Sequence, residues 1–112
     1  MVTVNRLLDE LELTPILLAD GEREITGGYA GDLLSWVMGR ANAGDAWITI
    51  MSNMNVAAVA QLADVACVVF AEGVIPDQAA VDAASMHEIN LLGSTKGTFE
   101  LCAEIAELLK EE

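Results

Sequence analysis

Short apolar runs and amphipathic segments alternate along the chain. Runs rich in β-branched and aromatic residues predict strands, and apolar positions that repeat every three or four residues predict helices. The predicted strands cover residues 16–18, 47–51, 65–70 and 89–92. The predicted helices cover residues 4–11, 33–41, 56–63, 78–86 and 97–110. This alternation predicts an α/β fold: a single three-layer domain with a mainly parallel sheet of about four strands and helices on both faces.

The segment of residues 20–31 interrupts the alternation. It is polar and holds four glycines, so the pattern predicts an irregular loop. The paired glycines Gly27 and Gly28 allow the backbone to approach a ligand closely. Asp32 is expected to cap the helix that follows, whose first amide groups could hold an anion. A tight corner between a strand and a helix would explain the same residues.

The charge balance narrows the possible partners. Five Lys and Arg residues stand against eighteen Asp and Glu residues, so the formal net charge is −13. An acidic protein repels phosphate backbones and anionic lipids, so we expect no nucleic-acid partner and no membrane partner. The apolar fraction of 54% excludes a disordered chain and leaves apolar surface for a second copy, so we expect a homodimer.

The N-terminus lacks a signal-peptide pattern, which predicts a cytoplasmic protein, and residues 1–112 are expected to form one domain.

Polar residues concentrate in four loops that follow the predicted strands. In an open parallel sheet, ligands bind at the carboxyl ends of the strands, so these loops are the candidate site. Two of the five basic residues lie there, which favours a small anionic ligand such as a nucleotide, although caps and turns need the same residue types. The candidate ligand-binding residues are Arg23, Thr26, Gly27, Gly28, Asn53, Asn55, Ser94, Thr95 and Lys96.

Catalytic and metal-binding patterns are missing from the sequence. The segment of residues 93–98 contains Gly, Ser, Thr and Lys, but Lys96 precedes Gly97, so the order required of a Walker A loop is not met. His87 is expected at the end of a helix. Cys67 and Cys102 lie in apolar segments and are expected to be buried thiols. We therefore expect no enzyme activity, no metal and no cofactor.

One stretch resembles a known family signature. Residues 23–38, Arg-Glu-Ile-Thr-Gly-Gly-Tyr-Ala-Gly-Asp-Leu-Leu-Ser-Trp-Val-Met, resemble the signature of the DRTGG domain family, and the similarity continues at residues 44–50, 55–60 and 94–101. The family often has Asp where this chain has Glu22. It often has His in the loop after the second predicted strand, where this chain has Asn53.

The resemblance implies an α/β domain similar to the N-terminal domain of HPr kinase/phosphorylase, without the kinase domain. It also implies a regulatory or ligand-sensing role, since family members occur beside CBS domains in pyrophosphatases and commonly form dimers in such contexts. Stand-alone members occur in anaerobic bacteria, sometimes near genes for iron-only hydrogenases. The alternative is a protein-interaction accessory module, for example in hydrogenase regulation or maturation, bound to a partner enzyme through apolar residues near Trp36, Met51 and Met54.

Overall fold

Five helices and five strands form within the described residues, 1–111, of the computed structural model. Every helix predicted from the apolar periodicity forms, with its ends displaced by no more than about two residues, as is usual for fraying helix ends. The elements are α1 (Val4–Glu10), β1 (Thr14–Leu17), β2 (Gly27–Ala30), α2 (Leu34–Arg40), β3 (Asp45–Thr49), α3 (Asn55–Ala63), β4 (Cys67–Phe70), α4 (Gln78–Met86), β5 (Leu91–Gly93) and α5 (Thr98–Lys110).

The sheet has five strands rather than the four predicted, in the order β1-β5-β4-β3-β2. The additional strand is β2, which lies in the segment predicted to be irregular. Glycine has a low strand propensity, but pairing with β3 decides the conformation here: Gly28 pairs with Ala46, and Tyr29 pairs with Trp47. Four strands are parallel, and β1 runs antiparallel to β5.

Each face of the sheet is covered by helices, as predicted. On one face, α1 and α5 contribute Leu7, Leu101 and Ile105 to a core that includes Ile48 and Val69 of the central strands. On the other face, α2, α3 and α4 pack against a second group of strand side chains, among them Trp47, Val68 and Phe70. The central strand β4 is buried along its whole length, as its continuous apolar run predicts.

Helix α2 departs from the sequence prediction at its start. Leu33 rather than Asp32 is the N-cap residue, because the Asp32 carboxylate is bonded elsewhere. The apolar stripe of α2 was expected to include Leu33 and Met38, yet both are exposed, and Val37 is the buried residue of this helix. A helix at the margin of the sheet therefore buries less than its sequence allows.

Among residues 1–111, four residues other than glycine adopt a positive φ, and all four are acidic: Glu12, Asp64, Glu72 and Glu88. Glu12 follows α1, Asp64 is the C-cap of α3, and Glu88 follows α4. Left-handed backbone at a helix end is common, but glycine usually occupies it because a Cβ atom is strained there.

Candidate functional site at the carboxyl edge of the sheet

The direction of β1 separates the residues that the sequence places in one site. Thr14 pairs with Gly93 at the end of β5, so β1 begins at the carboxyl edge of the parallel strands and ends at their amino edge. The loop after β1 therefore lies at the amino edge, and the expectation that all four loops meet at the carboxyl edge is wrong. The two edges are about 15 Å apart, since a strand rises about 3.3 Å per residue.

Arg23, Thr26 and Gly27 lie at the amino edge. The Arg23 guanidinium bonds the Asp64 carboxylate at 3.2 Å and the Asp64 carbonyl oxygen at 2.9 Å. Thr26 directs its hydroxyl toward the Ala43 carbonyl oxygen at 3.5 Å. Gly27 begins β2, and Gly28 follows it within the strand. These residues thus join β2 to the turns that precede β3 and β4.

The other five predicted residues, Asn53, Asn55, Ser94, Thr95 and Lys96, do lie at the carboxyl edge. The Ser94 hydroxyl accepts a hydrogen bond from the Lys96 amide at 3.0 Å. The Asn53 side chain accepts one from the Asn55 amide at 2.9 Å and so shapes the turn into α3. Side chains of these types shape turns by such bonds, and the two turns flank the loop that follows β4.

A crevice of about 280 Å³ opens among the ends of β4 and β5 and the start of β1. Its floor is fixed by backbone bonds, because the amides of Glu72 and Gly73 donate to the carbonyl oxygens of Lys96 and Ser94, both at 2.8 Å. Glu72 and Gly73 both have positive φ, which turns the chain away from β4. The crevice is lined by Thr14, Ile16, Gly73, Val74, Ile75, Gly93, Ser94 and Thr95.

The ammonium of Lys96, the residue after Thr95, is already engaged. The Lys96 ammonium bonds both carboxylate oxygens of Glu104, at 2.7 and 2.9 Å. This hydrogen bond, aided by the charges of Glu104 and Glu100, raises the pKa of Lys96 and keeps the ammonium protonated. The Glu72 carboxylate lies about 3.5 Å from the place where a Cβ atom on Gly97 would stand, near the start of α5. It thus occupies the neighbourhood where the helix would otherwise attract an anion.

Asp32 is a residue of this edge that the sequence prediction assigned a different role. Its carboxylate accepts hydrogen bonds from the Thr49 hydroxyl at 2.8 Å and from the Ile50 amide at 2.9 Å. It therefore ties the end of β2 to the end of β3. The sequence signal for this role was the position of Asp32 just after the glycine-rich segment. An N-cap residue would occupy the same position, so the signal does not distinguish the two roles.

An apolar patch adjoins the same edge. We define it by Leu33, Trp36, Ile50 and Met54, whose exposed fractions lie between 45% and 59%. The bond between Asp32 and Ile50 holds its two segments together, and α2 packs on α3. Arg40 stacks on the Trp36 ring at 3.7 Å and covers part of it. Met51, expected to be exposed, is partly buried against the core.

The two thiols differ in their surroundings. Cys67 is buried within β4, and burial raises its pKa to about 12, with a small opposing effect from the charge of Arg23. Cys102 on α5 is only partly buried, and its partial burial also raises its pKa. Neither forms a disulfide.

Within residues 1–111, no group of three or more His, Cys, Asp or Glu side chains could hold a metal ion, and no helix has the length and apolarity to cross a membrane.

The fold is similar to that of a solved regulatory region. The crystal structure of the CBS and DRTGG domains of the regulatory region of Clostridium perfringens pyrophosphatase, complexed with the activator diadenosine tetraphosphate, superposes with a TM-score of 0.69 at 13% sequence identity. The match covers 92% of this chain and 45% of that chain, so this chain spans less than half of its length. No family model and no curated protein matches the sequence. The similarity supports a DRTGG-containing fold.

Proposed function

We propose that this protein is a non-catalytic regulatory domain that binds a small anionic ligand, such as a nucleotide, at the carboxyl edge of its sheet. The observation that carries the proposal is the crevice between β4, β5 and the start of β1, because ligands of open α/β sheets bind outside the carboxyl ends of the strands. Its volume lies near the lower end of the range for small-molecule sites. The similarity to a region that binds a nucleotide activator supports the same class of ligand.

Three residues would recognise the ligand. Ser94 and Thr95 line the crevice and offer hydroxyl groups, and Lys96, which follows them in the chain, carries an ammonium that bonds Glu104. Asn53 and Asn55 lie on the same edge and could contact a ligand that extends beyond the crevice. The bound anion would compete with Glu104 for Lys96, so we expect modest affinity rather than tight binding.

The proposal is tested by thermal unfolding and titration calorimetry with ATP, ADP, AMP, diadenosine tetraphosphate and inorganic phosphate. Thr95→Trp, which fills the crevice, and Lys96→Ala, which removes the charge, should each weaken binding at least about threefold, the size expected from one exposed ionic contact. Arg23→Ala is the matched control, since it removes a cation from the opposite edge. If Arg23→Ala abolished binding and Thr95→Trp did not, the site would lie at the amino edge.

The apolar patch favours a second candidate, a protein-interaction accessory module. Trp36 and Met54 expose about half of their surface beside the candidate site, and exposed apolar groups of this kind mark interaction surfaces. Affinity capture from the source cells with the wild type, with Trp36→Ser and with Met54→Ser would test this candidate. Leu62→Ser is the control, because Leu62 is exposed outside the patch. A stoichiometric partner enzyme lost only in the patch variants would support it, and its retention by both would exclude it.

A further inference from the structure

The two edges of the sheet are protected differently. At one edge, β1 contains Pro15, which has no amide hydrogen, and its register with β5 shifts between Pro15 and Leu17. Both features prevent a further strand from pairing. At the other edge, β2 has neither a proline nor a bulge, and no charged residue occurs in residues 25–31. An edge of this kind is open to another strand.

The register shows which backbone groups of β2 face outward. The Gly31 amide donates to the Ile48 carbonyl oxygen at 3.1 Å, and Ala30 pairs with Ile48. Because successive residues of a strand direct their backbone groups to opposite sides, Tyr29 and Gly31 bond toward β3, and Gly28 and Ala30 direct theirs away from the sheet. No strand among residues 1–111 pairs with that side.

An apolar cleft of about 250 Å³ lies beside the same edge. It lies between β2 and α5, and Gly28 and Ala30 are too small to fill it, so both remain exposed. Its other principal lining residues are Ile48, Cys102, Ala106 and Leu109. The edge strand and the cleft together form an uncharged surface on a molecule with a net charge of −13.

We propose that β2 pairs antiparallel with β2 of a second copy, which joins the two sheets across a two-fold axis between the two Tyr29 residues. In this register Gly28 of each copy lies opposite Ala30 of the other, and each such pair exchanges two hydrogen bonds. The arrangement is self-complementary, as a two-fold interface must be. Both clefts then open on one face and adjoin each other, so that the two α5 helices cover them.

Charge favours a second copy at this surface over other places on the molecule. Two strongly acidic molecules repel each other, and close approach costs least where neither carries charge. Added salt should therefore strengthen the dimer by screening this repulsion, whereas an interface of ion pairs would weaken. The proposal does not depend on the ligand site, which lies at the ends of other strands.

Sedimentation and cysteine cross-linking test the proposal. Opposed Tyr29 residues would form a non-hydrogen-bonded pair with Cα atoms about 4.5 Å apart, which is within the range that a disulfide spans. In a Cys102→Ala background, Tyr29→Cys should become a covalent dimer under mild oxidation. Leu18→Cys, an exposed position just after the other edge strand, should form no covalent dimer under the same conditions.

A second variant tests the same interface in case Tyr29→Cys disturbs folding. Ala30→Pro removes an outward amide that bonds nothing within the monomer, so it should abolish the dimer and keep the thermal unfolding transition. A wild type that sediments as a monomer over about a hundredfold range of protein concentration would overturn the proposal. A dimer that persists in Ala30→Pro and does not cross-link through Tyr29→Cys would overturn it equally.

Discussion

The side chain of Asn90 pairs with the backbone of Asp20 as a neighbouring strand would. Its amide oxygen accepts from the Asp20 amide, and its amide nitrogen donates to the Asp20 carbonyl oxygen, at 2.8 and 2.9 Å. The same side chain accepts from the Ala19 amide and donates to the Ala66 carbonyl oxygen. Asn90 is 2% exposed, and its side-chain bonds hold the β1–β2 connection against the amino edge of the sheet.

Asn90→Ala should therefore destabilise the fold strongly. The substitution removes four hydrogen bonds and leaves backbone groups without partners, so we expect the free energy of unfolding to fall by about 2–4 kcal/mol. Urea denaturation measures this change. Asn42→Ala, at an exposed position, is the control and should change stability by less than about 0.5 kcal/mol. Equal losses in the two variants would contradict the role assigned to Asn90.

Two glycines should respond to alanine in opposite directions. Gly44 has a φ of 85°, and a Cβ atom there would clash with the Thr26 hydroxyl oxygen. Gly44→Ala should cost about 1–3 kcal/mol through backbone strain and this contact. Gly39 lies within α2 with open space around it, so Gly39→Ala should add about 0.5–1 kcal/mol of stability. Thermal unfolding of both variants distinguishes the two effects, and a stabilised Gly44→Ala would show that the turn can rearrange.

The ion pair between Lys96 and Glu104 should restrain ligand binding. Lys96 bonds both oxygens of Glu104, so an anion can recruit the ammonium only by replacing that carboxylate. Glu104→Gln removes the competing charge, and we expect affinity for nucleotides to rise by up to about fivefold, the gain expected when one exposed ion pair no longer competes. Calorimetry compares the variant with Glu107→Gln, which neutralises an exposed carboxylate on the same helix. A similar gain in affinity in both variants would indicate that the overall negative charge of the protein, rather than this ion pair, limits binding.

The thiol of Cys67 should destabilise the fold at alkaline pH. Its pKa is raised by burial from 9.0 to about 12, so the unfolded chain loses this proton before the folded chain does. Stability is therefore unaffected below about pH 9 and falls by about 1.4 kcal/mol per pH unit between about pH 9 and 12.

The difference in unfolding free energy between the wild type and Cys67→Ala isolates this contribution, because other groups titrate equally in both. This difference should be constant below about pH 9. Above about pH 9 the variant should become progressively more stable relative to the wild type. A thiol reagent gives an independent check: the native protein should react at Cys102, and Cys67 should react only after unfolding. Reaction of native Cys67 would show that β4 opens readily.

The helices and the buried strands could be predicted because their signals are local. The continuous apolar run of β4 and the apolar stripe of α5 identify both elements without reference to the rest of the chain. β2 could not be predicted, because Gly27-Gly28-Tyr29-Ala30 has neither alternation nor β-branched residues, and its conformation depends on pairing with β3.

The candidate site was predicted in part for a related reason. Polar residues after β3 and β5 lie where the sequence places them, because parallel strands bring their carboxyl ends to one edge. Arg23 and Thr26 lie at the other edge, because β1 runs opposite to β5, a strand that follows it by more than 70 residues. Its direction depends on that distant pairing rather than on the residues of β1 itself.

Two of the acidic residues with left-handed backbone carry their charge at positions that lower the stability of the fold. Glu12 and Glu88 combine a strained backbone with a negative charge at the negative end of a helix, so each position is unfavourable twice. Glycine at either position would relieve the strain and remove one negative charge, and each change should raise the unfolding temperature. The chain thus carries negative charge at two positions where a neutral residue would make the fold more stable. Two substitutions would therefore give a more thermostable protein with a smaller negative net charge.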